Sequence, residues 1–579
     1  IGIILGVNMT YNAPIQEMLF LFDKVLMGER VLVGKFKDID KSAISDVLKE
    51  VAKFSENILV PINRDADINP PTFNGGNVKC NEKYKEAYSA LSTGGWIGIS
   101  GDQKYGGMGL PSVLTTCINE ILSSGCMALS LNALMTQGQI EALENHADDR
   151  IKEIYLPKLN SGEWSGTMNL TEPQAGSDVG ALKTKAEKCP DGKYKITGQK
   201  IYISWGDHDL NKNICHLVLA RVKGAPEGTK GISLFLVPKI IPDFHGEPDV
   251  RNGVISVSME EKFGLHGSPT MVIQYTDAIG WLIGEENQGL TAMFTMMNNA
   301  RLGVGVEGLS QSERAYQKAL QFAKGRVQGK NLKTNLSTEI INHADVRRNL
   351  LDMKALTVAS RAICMDCAIN IDIANIKNDE GCARKAELLT PIAKAFSTDV
   401  ANKITEIGIQ IHGGMGFIEE TGAAQFYRDA RVTSIYEGTN GIQAMDLVGR
   451  KMNDGGEAAK GLIGEIKSTE NLAINFSLEQ KELLTSARIK LQKATNWMLN
   501  CESINERYAG SSPFLKAFGY VLGAHYLLKS AVVSDDEDKN ILSQYFLKQV
   551  LPEAFPLFDY SVQGSELLYA YNFEQDYES

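Results

Sequence analysis

KYKITGQKIYIS, residues 193–204, is rich in β-branched and aromatic side chains and is bracketed by turn signals, Asp191-Gly192 before it and a glycine inside it at Gly198. It reads as a strand. Similar stretches follow it: ICHLVLARV at 214–222, GISLFLVP at 231–238, GVISVSM at 253–259 and TMVIQYTDA at 270–278. They predict a compact β domain over residues 164–282, with barrel-like or sandwich pairing.

On both sides the period changes. Upstream, IQEMLFLFDKVL (15–26), ISDVLKEVAKFSENIL (44–59), YKEAYSALSTGGW (84–96) and the long run from Ser112 to Leu143 place apolar residues three and four apart. They predict a leader and helical domain over 9–163. Downstream, helical periodicity returns from Gly289 and continues to about Met452, as a bundle over 283–452 requires. The breaks near Gly455 then precede a further helical tract, 453–579, expected as an appended domain. The fold class is therefore mixed α and β, in the order helix, sheet, helix, helix.

The chain has 579 residues, too many for one core. Its 43% apolar and 22% charged residues are those of an ordinary globular protein. A net charge of −11 gives no general attraction to phosphate backbones, so no nucleic-acid partner is expected. No uninterrupted apolar window reaches about 18 residues, so no transmembrane segment is expected. Residues 1–8, with the short apolar run Ile1–Val7, are set aside from the functional reading. Nine scattered cysteines fit reduced thiols and a cytoplasmic location. Cys364 and Cys367 are expected as core thiols on a helix, and no metal site is expected.

Three segments could carry chemistry. MNLTEPQAGSDVGALKTKAEK, 168–188, groups Thr171, Glu172, Ser177 and Asp178 around Pro173 and two glycines. Its backbone amides and hydroxyls suit a flat polar ring or a phosphate, or equally a capped loop between strands. KIYISWG puts Tyr202 and Ser204 at alternate strand positions, hence on one face, where a ring could stack on a cofactor or simply pack on the sheet. RDARVTSIYEGTNGIQ, 428–443, holds Glu437 beside Ile435 and Tyr436. An acid dried by such neighbours could serve as a general base, or it could cap the helix that follows. The glycine clusters YGGMGL and HGGMGF lack the βαβ setting of a dinucleotide fingerprint.

TEPQAGSD, KIYIS, EKFGLHGSPT, LIGEENQG, NNARLGVGVEGL, QIHGGMGF and IYEGTNGIQ occur in this order, and over about residues 60–450 the chain resembles the acyl-CoA dehydrogenase family. The resemblance implies that family's fold: an N-terminal helical domain, a middle β domain and a C-terminal four-helix bundle. It also implies FAD held between the β domain and the bundle, with an acyl-CoA thioester on one face of the flavin. Glu437 is then the base that removes the Cα proton while hydride passes from Cβ to flavin N5, giving a 2-enoyl-CoA. Thr171 and Ser204 match flavin contacts, and Tyr202 stands where many members carry Trp. Ser177 matches a contact to the CoA arm, and Arg301 the arginine beside the substrate channel. Arg326, Gln410 and Gly414 match contacts to the FAD of a neighbouring subunit, and Thr439 and Gly441 match FAD contacts beyond the base. A minority of members carry the base just before the helix arginine, where this chain has Ala300.

The implied electron acceptor is electron-transferring flavoprotein; an acyl-CoA oxidase, passing electrons to O₂, is the alternative. A homo-oligomer is implied. A dimer is expected, because an appended domain over one face of each subunit would block the usual tetramer. The leader MTYNAPIQEMLFLFDKVL and the long tail resemble members of the family that act on 3-methylmercaptopropionyl-CoA. Short- to long-chain fatty acyl-CoA substrates remain the alternative.

Overall fold

The computed structural model describes residues 11–472 and 476–573, so residues 1–8 lie outside the described residues. The chain forms two compact units. One holds Asp46–Gly303 with the described residues before Pro14, and the other holds Pro14–Ser45 with the described residues from Val304 onward. The leader, expected to continue into the first helices, therefore belongs by its contacts to the second unit.

The first unit contains the strands β1 (Trp164–Asn169), β2 (Lys185–Lys188), β3 (Tyr194–Ser204), β4 (Asn213–Val222), β5 (Ser233–Pro238), β6 (Val254–Met259) and β7 (Thr270–Ile283). In one sheet they run β6-β7-β3-β2-β4-β1, and β5 pairs with both β7 and β4. That double pairing closes the sheet. The first part of β7 lies on β3, while Trp281–Ile283 turn onto β5. Of the two pairings expected for this domain, the barrel-like one is present, and closure removes edges that would otherwise stand unpaired. β4 is buried over its first eight residues, Asn213–Ala220, because strands cover it on both sides, so it reads as a continuous apolar run rather than an alternating one. Tyr194, Ile196, Val218, Phe235, Ile273 and Tyr275 fill the interior.

In the same unit the helix α1 (Ser112–His146) leaves helical geometry at Cys126, with φ −153° and ψ 95°. By length and composition α1 could cross a membrane, yet 89% of its apolar window is buried inside the protein, as in a core helix. The helix α2 (Gly289–Gly325) begins in this unit and ends in the next.

The second unit is helical. α3 (Ala344–Lys377) and α4 (Glu380–His412) are joined by Asn378 in the left-handed region, and the Asp379 side chain caps α4 by accepting the Cys382 N–H at 2.9 Å. α5 (Ala423–Arg431) and α6 (Asn440–Asp446) follow, then α7 (Leu478–Asn500) and α8 (Ser511–Val532) of the tail. The tail packs directly on the bundle. A Cβ at Gly519 of α8 would lie 2.3 Å from the Phe396 ring of α4, so only glycine permits this approach. Cys364 and Cys367 are both buried in α3, as core thiols.

Candidate active site

The loop after β1 is built around Glu172, not around its hydroxyls. Glu172 is 3% exposed. Its Oε1 accepts from Lys200 Nζ at 2.8 Å, Thr184 Oγ1 at 2.6 Å and the Thr184 N–H at 3.0 Å. Its Oε2 accepts from the Lys183 N–H at 2.6 Å and from Gln174 Nε2 at 2.7 Å. Burial alone would raise its pKa, but the Lys200 charge and these donors hold it down to about 2. Lys200 is wholly buried and also donates to the Leu170 carbonyl at 2.9 Å. One ion pair thus fastens the turn 171–184 to β3. The rest of the loop faces outward: Ser177 and Asp178 are exposed, and a Cβ at Gly176 would meet nothing within 4 Å.

Thr171 is tied to the same strand, its carbonyl accepting the Ile201 N–H at 2.9 Å. Beyond that point simple alternation fails. Lys200 pairs with Ile273 and Ile203 with Met271, so Ile201 and Tyr202 together oppose Val272 alone. The extra residue is a bulge, with Tyr202 in the left-handed region at φ 58°. Tyr202 and Ser204 do lie on one strand as expected, but the bulge, not the pleat, sets the direction of the Tyr202 ring. That ring is 62% exposed, while Ser204 is half-buried. Trp205, next to Ser204, turns inward, is fully buried and donates to the Ala128 carbonyl at 3.0 Å, which anchors the end of the strand. Arg301 lies on α2 in this unit at 4% exposure.

The remaining expected residues lie in the second unit. Glu437 sits between a 3-10 turn, Val432–Ser434, and α6. It is not the helix cap. Thr439 holds that position, its Oγ1 accepting the Ile442 N–H at 3.2 Å. Glu437 instead adopts the left-handed region at φ 55°, which costs a side-chain-bearing residue roughly 1–2 kcal/mol and must be held by its surroundings. Lys394 of α4, wholly buried, donates to the Gly438 carbonyl at 2.9 Å and to Asn440 Oδ1 at 2.8 Å. Asn440 Nδ2 donates in turn to Asp399 Oδ1 at 2.7 Å and Thr398 Oγ1 at 2.9 Å, and Gln443 Nε2 donates to the Glu437 carbonyl at 3.3 Å. The turn is held from behind by buried side chains.

Of the two apolar neighbours expected to dry Glu437, Ile435 is half exposed and supplies little cover. Tyr436 is half-buried, and its hydroxyl donates to Oε2 of a second acid, Glu307 of α2, at 1% exposure. Sequence reading missed Glu307 and Lys394. Each is a lone charge in an apolar helical run, VGVEGL and PIAKAF, and that is the signal that could have marked them.

Arg326 follows the end of α2 and is exposed, as are Gln410 and Gly414 at the end of α4. Around them Val327, Leu332, Leu336, Phe417 and Ile418 are exposed apolar side chains. Gly416 stays glycine for a local reason, since a Cβ there would lie 2.2 Å from the Ile409 carbonyl oxygen.

The class of protein follows from this fold and these turns together with the chain's likeness to known proteins. The chain matches the acyl-CoA dehydrogenase N-terminal domain over residues 44–163, the middle domain over 167–278 and the C-terminal domain over 287–452. Residues 462–571 match the acetyl-CoA dehydrogenase C-terminal-like domain. The chain belongs to the acyl-CoA dehydrogenase family and is an FAD-dependent oxidoreductase. Among particular relatives, it is 41% identical to the 3-methylmercaptopropionyl-CoA dehydrogenase of Ruegeria pomeroyi, over 94% of this chain and 97% of that one. It is 33% identical to a broad-specificity linear acyl-CoA dehydrogenase of Mycobacterium tuberculosis, over 94% and 96%. Its fold is shared by Caenorhabditis elegans ACDH-11 in complex with C11-CoA, with a TM-score of 0.80 at 19% identity over 97% of this chain and 94% of that one. It is also shared by the Bacillus anthracis acyl-CoA dehydrogenase complexed with FAD, with a TM-score of 0.73 at 21% identity over 96% and 92%.

The residues present fit FAD. In the first unit Tyr202 is exposed, Thr171 and Ser204 are half-buried, and the Thr171 carbonyl is hydrogen-bonded to the Ile201 N–H next to Tyr202. In the second, the backbone is open at two of the expected cofactor contacts: a Cβ at Gly414 would meet nothing within 4 Å, and one at Gly441 would meet only Thr439 Oγ1, at 3.8 Å.

Proposed function

We propose that this acyl-CoA dehydrogenase acts on 3-methylmercaptopropionyl-CoA, forming methylthioacryloyl-CoA, with Glu437 as the base. The observation that carries the substrate reading is the 41% identity to a dehydrogenase of that name over 94% of this chain. A linear fatty acyl-CoA is the second reading, favoured by the full-length likeness to the mycobacterial enzyme.

Thr171, Tyr202 and Ser204 would hold the cofactor from the β domain, and Thr439 and Gly441 from the bundle. Arg326, Gln410 and Gly414 would serve the cofactor of a second subunit, and their exposure beside apolar side chains suits a surface that a partner covers. FAD, when bound, supplies the acceptor for the hydride that leaves Cβ. Ser177 would meet the CoA arm from an outward-facing loop, and Arg301 would lie by the substrate channel. The Glu437 carboxylate takes the Cα proton. Its side chain is aimed by a left-handed turn that Lys394, Asn440 and Gln443 lock in place, so little reorganisation accompanies proton transfer. Electron-transferring flavoprotein is the proposed acceptor and a homodimer the proposed assembly.

The test is an anaerobic titration of the yellow holoenzyme with 3-methylmercaptopropionyl-CoA, butanoyl-CoA and palmitoyl-CoA in parallel. Fastest bleaching with the thioether supports the proposal. Fastest bleaching with palmitoyl-CoA replaces it with the long-chain reading, and reoxidation by air faster than by electron-transferring flavoprotein replaces the acceptor with O₂.

A further inference from the structure

Glu307 is an acid for which the reading above has no use. It lies on α2 in the run VGVEGL, where Val304, Val306 and Leu309 are at most 1% exposed, as it is itself. Oε2 accepts the Tyr436 hydroxyl, and Oε1 is buried with no hydrogen-bond partner among the described residues. The titratable groups that act on it come from two other elements: Tyr436 and Glu437 from the turn, and Lys394 from α4. A carboxylate left half-satisfied in such a place survives most cheaply as the neutral acid.

We propose that Glu307 is a positioning residue for the dehydrogenation: as a neutral acid it holds Tyr436 and keeps a second negative charge away from Glu437, and its ionisation limits turnover on the alkaline side. This rests on the reading of Glu437 as the base. Proton removal from Cα develops negative charge on the substrate, so a new anion beside the base opposes the same step that the base performs. Burial pushes the Glu307 pKa up to about 8, and Glu437 adds to this, while the Tyr436 hydrogen bond and the Lys394 charge pull against it. The acid is therefore protonated at neutral pH and ionises within a range an assay can reach.

The experiment follows the second-order rate of flavin bleaching by 3-methylmercaptopropionyl-CoA in the holoenzyme from pH 6 to 10. The native protein is expected to lose about tenfold in rate across a limb centred near 8, the effect of about one pKa unit of coupling. Glu307→Gln keeps an acceptor for Tyr436 and should abolish the limb. Tyr436→Phe removes a donor that favours the ionised acid and should move the limb to higher pH. A second readout needs no turnover. Because the folded pKa of Glu307 lies above its unfolded value, Glu307 contributes a fall in native stability as pH rises from the ordinary carboxylate range to about 8, and Glu307→Gln should remove that contribution. An alkaline limb left in place by both variants overturns the proposal, as does a stability profile unmoved by Glu307→Gln. Normal turnover in Glu437→Gln would instead defeat the assignment of the base and leave the stability profile to report on Glu307 alone.

Discussion

The buried ammonium of Lys394 donates to the carbonyl of Gly438 at 2.9 Å, one peptide beyond Glu437. This bond fixes the chain immediately after the proposed base, and with Asn440 it closes the turn against α4. Lys394→Met keeps the length of the side chain and deletes the donor. It is expected to lower kcat/KM by about 10²-fold, the scale of an ångström of misplacement, with FAD content unchanged. Steady-state kinetics beside a flavin-to-protein absorbance ratio check this, and a loss of flavin equal to the loss of rate would show a cofactor effect instead.

The Glu172–Lys200 pair predicts an acid sensitivity. Burial works against the Glu172 carboxylate, yet Lys200 and four other donors hold its pKa at about 2, below its unfolded value. Its contribution is complete above the ordinary carboxylate range and is lost as pH falls toward 2. Lys200→Met leaves the carboxylate buried without its counter-charge, at a cost of about 3–5 kcal/mol at pH 7. Urea unfolding of both proteins at several pH values would show it, and a variant as stable as the native protein would exclude the pair as an anchor of the loop.

The leader predicts a second stability effect. Glu17 accepts from Lys354 Nζ at 2.6 Å and from Arg361 Nη1, and Arg361, fully buried, also reaches Glu313 Oε2 at 2.7 Å. Burial again opposes the Glu17 charge, but the two cations pull its pKa down to about 2, so this stabilisation too is present at neutral pH and fades as pH falls toward that value. Glu17→Gln should cost about 3 kcal/mol, read as a lower melting temperature at pH 7 and a smaller difference from the native protein near pH 3. An equal difference at both pH values would mean the loss is one of packing rather than charge.

Much of this architecture was legible along the chain because period alone separates strand from helix. KYKITGQKIYIS, GISLFLVP and the long apolar runs of α1 and α3 are strands and helices as their patterns predict. The bulge at Tyr202 was not legible, because it depends on which residues of β7 lie opposite. Nor were the partners of lone charges: Glu17 and Arg361 are 344 residues apart, and Tyr436 and Glu307 are 129 apart. The motif IYEGTN marked the turn. What Thr439 does there, capping α6 and leaving Glu437 left-handed, required coordinates.

In the proposed mechanism Glu437 removes the Cα proton. The most direct measurement is the anaerobic rate of flavin bleaching by 3-methylmercaptopropionyl-CoA in Glu437→Gln against the native holoenzyme. The variant should bind FAD and ligand but bleach slower by several orders of magnitude. Bleaching at a near-native rate would contradict that role.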